Sequence, residues 1–322
     1  MANKIQFVLV LLLIENVRVE QWFVNKILGN YEERYFGGGH KRTDYSKIHN
    51  LVEKDGEYLG YVSLHQRDGW SKKKEINVTP HLSTFDGVVI SALLLERYFE
   101  KFYPKVSLNS LCIDSFEIKA GATPIEDLNR IPITLKKITQ DNDKYWARIE
   151  ILSMKLKISL TQYLLENDCL TENIEDKYFS KHLKNIRHDL TNIDFLTEKY
   201  ANCDVVRDVL FHERYSGMSS SCYFNISILE WLIIVSQFAQ VMVYNFDGMA
   251  RCDSDTLWMR TVKAKITTPL TYIEPIMLTG EIVKSSTLKR GDDEWRILEM
   301  QGSTIGDEVI FSGNVAHRLP NS

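Results

Sequence analysis

Pro80-His81-Leu82-Ser83-Thr84-Phe85-Asp86-Gly87-Val88-Val89-Ile90-Ser91-Ala92-Leu93-Leu94-Leu95-Glu96 is the stretch on which the fold of this chain turns. It opens on polar side chains and runs into a nearly unbroken apolar segment. Ser83 followed three residues later by Asp86 is a helix-start signal: the hydroxyl caps a free N–H and the carboxylate reaches back. A carboxylate in the first turn also complements the positive end of the helix dipole. A helix apolar on all sides belongs inside a core. The stretch predicts a buried helix over residues 83–103 with a polar mouth at its N-terminus.

The pattern recurs. Asn225-Ile226-Ser227-Ile228-Leu229-Glu230 repeats the cap spacing, and an apolar helix follows to residue 246. Ser83 and Ser227 are 144 residues apart. Leu111-Cys112-Ile113 matches Leu257-Trp258-Met259 at an offset of 146, and Thr123-Pro124 matches Thr268-Pro269 at 145. Ile131-Pro132-Ile133 resembles Glu274-Pro275-Ile276, and Arg34-Tyr35-Phe36 resembles Lys177-Tyr178-Phe179, both at 143. A nearly constant offset of 143–146 over five landmarks implies an internal duplication.

The 322 residues fit two units of similar size. The expected division is an extension over 1–24, a first repeat over 25–168 and a second over 169–322. The net charge of −4 gives no electrostatic case for nucleic acid. Five cysteines without a CxxC pair disfavour a disulfide framework and a standard zinc site. They point to a reducing, cytoplasmic compartment. No HExxH, Walker or Rossmann pattern is present, so neither metal nor nucleotide cofactor is expected. Residues 5–14 are apolar apart from Gln6. That length is too short to span a bilayer, and a targeting role, a strand and an amphipathic start all remain open. The helix after Glu230 is long enough to invite a membrane reading, but Glu230, Ser236, Gln237 and Gln240 interrupt it, so a core helix is expected.

Elsewhere the periodicity is that of strands. Residues 52–65 alternate around Asp55-Gly56, a hairpin signal. Residues 110–120 read as a strand with Glu117 and Lys119 on one face and Cys112 and Asp114 on the other. Further strands follow, and the second half repeats the plan. Each half is thus strand, long buried helix, then a run of strands. A curved antiparallel sheet wrapped around one helix is the hotdog plan, and two fused copies make an α+β double hotdog. Two such halves pair their sheets and hold a cleft near the helix N-terminus, where free N–H groups polarise a thioester carbonyl.

Candidate site residues gather at the first mouth. His81 precedes the cap and is the candidate acid–base group, against the plainer reading of a loop histidine. Asp86 is either a cap alone or a cap with a catalytic role. Trp70, Lys72 and Lys73 precede the helix and suit an apolar chain and an acidic carrier, although lysine runs are usually solvated. Ser83 caps the helix. Glu117 and Lys119 would line the cleft or form a surface pair. Trp258 and Arg260 would contribute from the other half, Arg260 as a bidentate anion ligand. The second mouth has Asn225-Ile226 where the first has Pro80-His81, so one competent site is expected. Gly37-Gly38-Gly39 followed by His40-Lys41-Arg42 reads as a tight turn or an anion contact. Hotdog dehydratases carry a helix carboxylate where Ala92 falls here, which argues against that reaction.

The sequence also resembles the avirulence protein D (AvrD) family of plant-associated bacteria. The resemblance rests on RYFGGGHKR (34–42), DGWSKKKEINVTPHLSTFDGVV (68–89), EIKAGATPIEDL (117–128) and TLWMR (256–260), and covers most of the chain from residue 25 onward. It implies a biosynthetic enzyme that joins a β-ketoacyl thioester, carried on acyl carrier protein or coenzyme A, to a sugar such as xylulose or another small polyol. The products would be syringolide-like acyl glycosides. A relationship to the hotdog enzymes of γ-butyrolactone signals is implied as well. An acyl-binding protein without chemistry, or a hotdog dehydratase or thioesterase, is the alternative. The resemblance carries over no catalytic residue, so the site assignments stand on the physical reading.

Overall fold

The computed structural model describes residues 24–320 apart from 75, 122, 164–173, 211–213, 223–224, 255 and 273–274. The apolar stretch at 5–14 and the junction expected between the repeats at residues 168–169 lie outside the described residues.

Residues 24–28 form a short helical turn, α1. Then come β1 (Thr43–Tyr45), β2 (His49–Lys54), β3 (Glu57–Val62), β4 (Leu64–Gln66), β5 (Lys72–Lys73), β6 (Ile76–Asn77) and helix α2 (Thr84–Phe102). β7 (Leu111–Lys119), β8 (Ile131–Asp141), β9 (Lys144–Ile151) and β10 (Met154–Gln162) complete the first half. The second half has α3 (Tyr178–Lys181), β11 (Ile186–Phe195), β12 (Tyr200–Val209), α4 (Ile228–Phe246), β13 (Trp258–Ile266), β14 (Ile276–Arg290), β15 (Asp293–Thr304) and β16 (Val309–Arg318).

Twelve of these strands form one antiparallel sheet in the order β11-β12-β14-β15-β16-β13-β7-β10-β9-β8-β3-β2. Read inward from either end, the two halves have the same connectivity: a hairpin, then three consecutive strands, then the strand that directly follows the helix. They join where β7 pairs with β13. In that ladder Glu117 faces Lys263, and Ser115 and Lys119 face Lys265 and Thr261. Glu117 and Lys263 differ by the same 146 that the sequence shows, and Ser115 and Lys119 each pair with the other's counterpart, so a pseudo-twofold axis passes between Glu117 and Lys263. This is the double hotdog expected from the repeat.

Both helices start where their cap residues say. Ser83 Oγ accepts from Asp86 N, and the Asp86 carboxylate accepts from Ser83 N. Ser227 and Glu230 make the same reciprocal pair. α2 is enclosed from Thr84 to Ala92, and only side chains such as Arg97, Glu100 and Lys101 reach water. α4 is apolar and long enough to cross a membrane by composition, but it is enclosed by protein and packs against β11–β14 and α2. Trp231, Phe238 and Tyr244 are among its fully buried side chains. Each such aromatic contributes about 1.5–3 kcal/mol by leaving water.

The Asp55-Gly56 turn joins β2 and β3 with both residues at positive φ, the geometry of a tight hairpin. β7 departs from strict alternation. Its pairing with β10 shifts between Ser159 and Leu160, leaving Asp114 as an unpaired bulge. The bulge re-phases the strand, so Ile113, Phe116 and Ile118 are all buried.

Candidate functional site

A cleft of about 140 Å³ lies between the two halves at the N-terminus of α2. Tyr35, Trp70, Lys73, His81, Ser83 and Thr84 of the first half line it, and Arg251, Trp258 and Arg260 close it from the second.

The loop before α2 is held rigidly. Trp70 Nε1 donates to Val78 O at 3.0 Å. Gly39 packs so tightly that an added Cβ would lie 1.9 Å from the Trp70 carbonyl oxygen. The run of glycines therefore serves backbone approach here, and His40 turns inward, with Nδ1 3.1 Å from Tyr35 O. Burial pushes His40 down to about 3, so it stays neutral. Gln66 bonds both backbone groups of His81, accepting from its N–H at 3.1 Å and donating to its carbonyl at 3.0 Å.

The His81 ring stands between two indoles, 5.2 Å from Trp70 and 6.2 Å from Trp258. Its Nδ1 lies 2.9 Å from the Thr79 carbonyl. A carbonyl only accepts, so Nδ1 carries the proton and Nε2 of the neutral ring is left as a base. Beside it, the helix satisfies Asp86 N through Ser83 Oγ and Gly87 N through Ser83 O. The N–H groups of Thr84 and Phe85 have no acceptor within the helix, as expected for a first turn.

Asp86 lies behind this surface, fully buried. Its carboxylate accepts from Tyr45 at 2.5 Å, Ser83 Oγ at 2.7 Å, Tyr35 at 3.1 Å and Gln66 at 3.4 Å. Burial raises its pKa above the usual aspartate value, opposed by the bonds from Tyr45, Ser83 and Tyr35. Tyr35 and Ser83, 2.7 Å apart, connect it to the cleft.

The cations divide. Lys73 and Arg260 line the cleft, Lys73 donating to Ser254 O at 3.0 Å and Arg260 to Gly121 O at 3.1 Å. Arg251 joins them. It bridges the halves by donating to Lys72 O at 2.8 Å and Ser71 Oγ at 2.9 Å. The Lys72 side chain is not part of the cleft wall, and this residue contributes its carbonyl instead.

Glu117 and Lys119 do not reach the cleft, contrary to the expectation that inward strand residues would bring them there. Glu117 sits on the face of the sheet away from the helices, 3.1 Å from Lys157 and 3.9 Å from Lys263. Lys119 is exposed. Glu117 is thus a surface residue, paired with Lys157 and Lys263 instead of Lys119.

The second mouth is the pseudo-symmetric copy. A cavity of about 130 Å³ is lined by Tyr178, Ser227, Cys112 and Pro269, the positions matching Tyr35, Ser83, Trp258 and Pro124. His182 repeats His40, with Nδ1 2.7 Å from Tyr178 O. The carboxylate is held differently. Glu230 accepts from Arg207 Nε at 2.6 Å and from His188 Nε2 at 2.9 Å. Burial alone would raise its pKa, but His188 and Arg207 outweigh burial and hold it well below the usual glutamate value. Here the acid is locked into an ion pair, with Asn225 in the place of His81.

Residues 22–320 match the family described as Pseudomonas avirulence D protein (AvrD). The chain belongs to that family. No curated protein sequence matches it. Similar solved structures include the tesB protein of Mycobacterium avium subs paratuberculosis, with 9% identity, TM-score 0.42, and 84% of this chain and 96% of that one covered. An acyl-CoA thioesterase II, TesB2, from Mycobacterium marinum has 7% identity and TM-score 0.41, covering 85% and 97%. An acyl-ACP thioesterase from Bacteroides thetaiotaomicron has 7% identity and TM-score 0.38, covering 87% and 99%.

In this AvrD-family chain the sequence reading missed Tyr35, Tyr45 and Gln66 around Asp86, and His188 and Arg207 around Glu230. Tyr35 was within reach, because Arg34-Tyr35-Phe36 was one of the repeated landmarks. Tyr45 and His188, 143 residues apart, are a further repeated pair whose types differ too much to be seen as one.

Proposed function

We propose that the chain is a cofactor-independent enzyme that transfers a β-ketoacyl group from a thioester of acyl carrier protein or coenzyme A to a hydroxyl of a small sugar or polyol. Its product would be a syringolide-like acyl glycoside or a butyrolactone precursor, made in the cytoplasm. One observation carries this reading: His81, whose Nδ1 is tied to the Thr79 carbonyl so that Nε2 is left to accept, lines the cleft together with Ser83 and Thr84 of the α2 N-terminus and with Lys73, Arg251 and Arg260.

The thioester carbonyl would point at the N-terminus of α2, where the free N–H groups stabilise the negative oxygen that forms under attack. His81 would take the proton from the attacking hydroxyl and return it to the departing thiolate. Trp70 meets the imidazole edge-on and Trp258 at a tilt, and both would border an apolar chain. Asp86 acts as a positioning residue: through Ser83 and Tyr35 it fixes the helix mouth. The three cations suit a phosphate-bearing carrier.

The test is incubation of the purified chain with a β-ketoacyl thioester and xylulose, followed by mass spectrometry. An acylated sugar that disappears in His81→Ala supports the proposal. Free β-keto acid as the sole product would make the protein a thioesterase. Ligand retention without turnover would make it an acyl-binding protein.

A further inference from the structure

The second cleft holds a feature that the proposed chemistry at the first does not use. Where the first cleft has Trp258, the second has Cys112. The sulfur of Cys112 lies 3.3 Å from that of Cys222, although the residues are 110 positions apart. Both line the same cavity. Cys112 is at the start of β7 and is buried, while Cys222 ends a short 3-10 turn (Ser220–Cys222) and is half-exposed.

The approach is fixed by the backbone around it. Ser219 N donates to Leu111 O and Ser221 N to Asn109 O, each at 3.1 Å. The Asn109 side chain accepts from Gly217 N at 3.2 Å and from Ser220 Oγ at 2.9 Å. The residues just before Cys222 are thus laced to the residues just before Cys112. Forming a bond needs the sulfurs to close from 3.3 Å to about 2.05 Å, with no change of register.

We infer that Cys112 and Cys222 are a reversible disulfide site that staples β7 to the 220–222 turn across the second cleft. The oxidant is a small-molecule disulfide such as oxidised glutathione. The half-exposed Cys222, as thiolate, attacks one sulfur of the small disulfide. A mixed disulfide forms and one small thiol leaves. Cys112 then gives up its proton and attacks the Cys222 sulfur, forming the internal bond and releasing the second small thiol. Two protein thiols are oxidised and one disulfide is reduced to two thiols, so the electrons balance. The roles are supported by the thiols themselves: the bond donated by Cys112 lowers the Cys222 pKa, while that bond and burial raise Cys112. Cys222 is the attacking group and Cys112 the resolving one. Of the other described cysteines, Cys203 is buried and Cys252 is exposed, both as free thiols.

This inference does not depend on the reaction at the first cleft. It is tested on the intact, unsubstituted chain, equilibrated in glutathione buffers from reducing to oxidising, alkylated and digested without reductant. The expected result is the joint loss of two alkylatable thiols and a linked pair of peptides containing Cys112 and Cys222, both reversed by reductant. A second readout is thermal unfolding. A cross-link closing so long a loop should raise the midpoint of the oxidised chain, and Cys222→Ser should remove that rise. Glutathione remaining on Cys222 without resolving onto Cys112, or both thiols staying alkylatable in oxidised glutathione, would overturn it.

Discussion

Asp86 and Glu230 occupy the same place, the third residue of two equivalent helices, and are held by opposite chemistry. Asp86 is surrounded by neutral donors, among them Tyr45 at 2.5 Å and Tyr35 at 3.1 Å. Glu230 faces the Arg207 guanidinium at 2.6 Å. The first arrangement leaves a carboxyl whose pKa burial raises, next to an open cleft. The second is a closed ion pair. The duplication has been spent unequally, with the second mouth bearing structure.

Glu230→Gln should therefore destabilise the protein strongly. Removing one member of a buried pair leaves Arg207 uncompensated and typically costs about 3–5 kcal/mol. The effect has a sign with pH. The folded pKa of Glu230 lies below the unfolded value of 4.5, so its contribution is complete above that value and is lost as the pH falls below it. Urea unfolding should show a wide gap between wild type and Glu230→Gln at pH 7 and a narrow one near pH 3. An equal gap at both would refute the ion-pair account.

Asp86→Asn should cost less, about 1–2 kcal/mol for an impaired cap. The amide nitrogen meets hydroxyls that already donate, so Tyr45 or Tyr35 must turn. Because burial holds the folded pKa of Asp86 above the unfolded one, wild type should lose stability relative to Asp86→Asn as the pH rises from acid through the folded value. Thermal melts across pH 3–7 check the direction.

Glu96 gives a third case. It is buried on α2, accepts from Met218 N at 2.7 Å and lies 3.8 Å from Lys177, and burial raises it to about 7. The folded pKa exceeds the free value of 4.5, so stability is lost as the pH rises from 4.5 through 7. The shift corresponds to roughly 3 kcal/mol at 1.36 kcal/mol per unit. Glu96→Gln keeps the acceptor for Met218 and does not titrate. Its melting temperature should overtake that of wild type between pH 5 and pH 8.

Much of this architecture is local in sequence, and that part was legible. Ser83 with Asp86, and Ser227 with Glu230, bond within one helical turn, so three-residue spacing sets both helix starts. The constant offset places the second half on the first without any knowledge of contacts. The rest is not local. Tyr45, Gln66, His188 and Arg207 reach the carboxylates from strands 20–42 positions away in sequence. No periodicity marks a polar residue that turns inward at a strand end. The choice between cleft and surface for Glu117 and Lys119 stays open in the sequence for a related reason. Glu117 lies on the sheet face away from the helices, and the bulge at Asp114 breaks the alternation that would have assigned that face.

The sharpest prediction concerns His81. Gln66 holds both backbone groups of His81, so removing the imidazole costs the loop only the Nδ1 bond to Thr79 O. His81→Ala should leave the melting temperature within a degree or two and lower kcat for acyl transfer by about 10²–10⁴-fold, the usual worth of a general base. His81→Gln restores a polar side chain without a group that titrates as a base. It should recover substrate affinity and not turnover. Arg260→Ala should do the reverse, raising KM for the carrier-bound thioester with little change in kcat. The split separates the three roles: loss of turnover in both His81 variants with affinity retained in the glutamine one places the proton transfer on imidazole. Full activity in a well-folded His81→Ala protein would leave only the N–H groups of Thr84 and Phe85 to drive the chemistry.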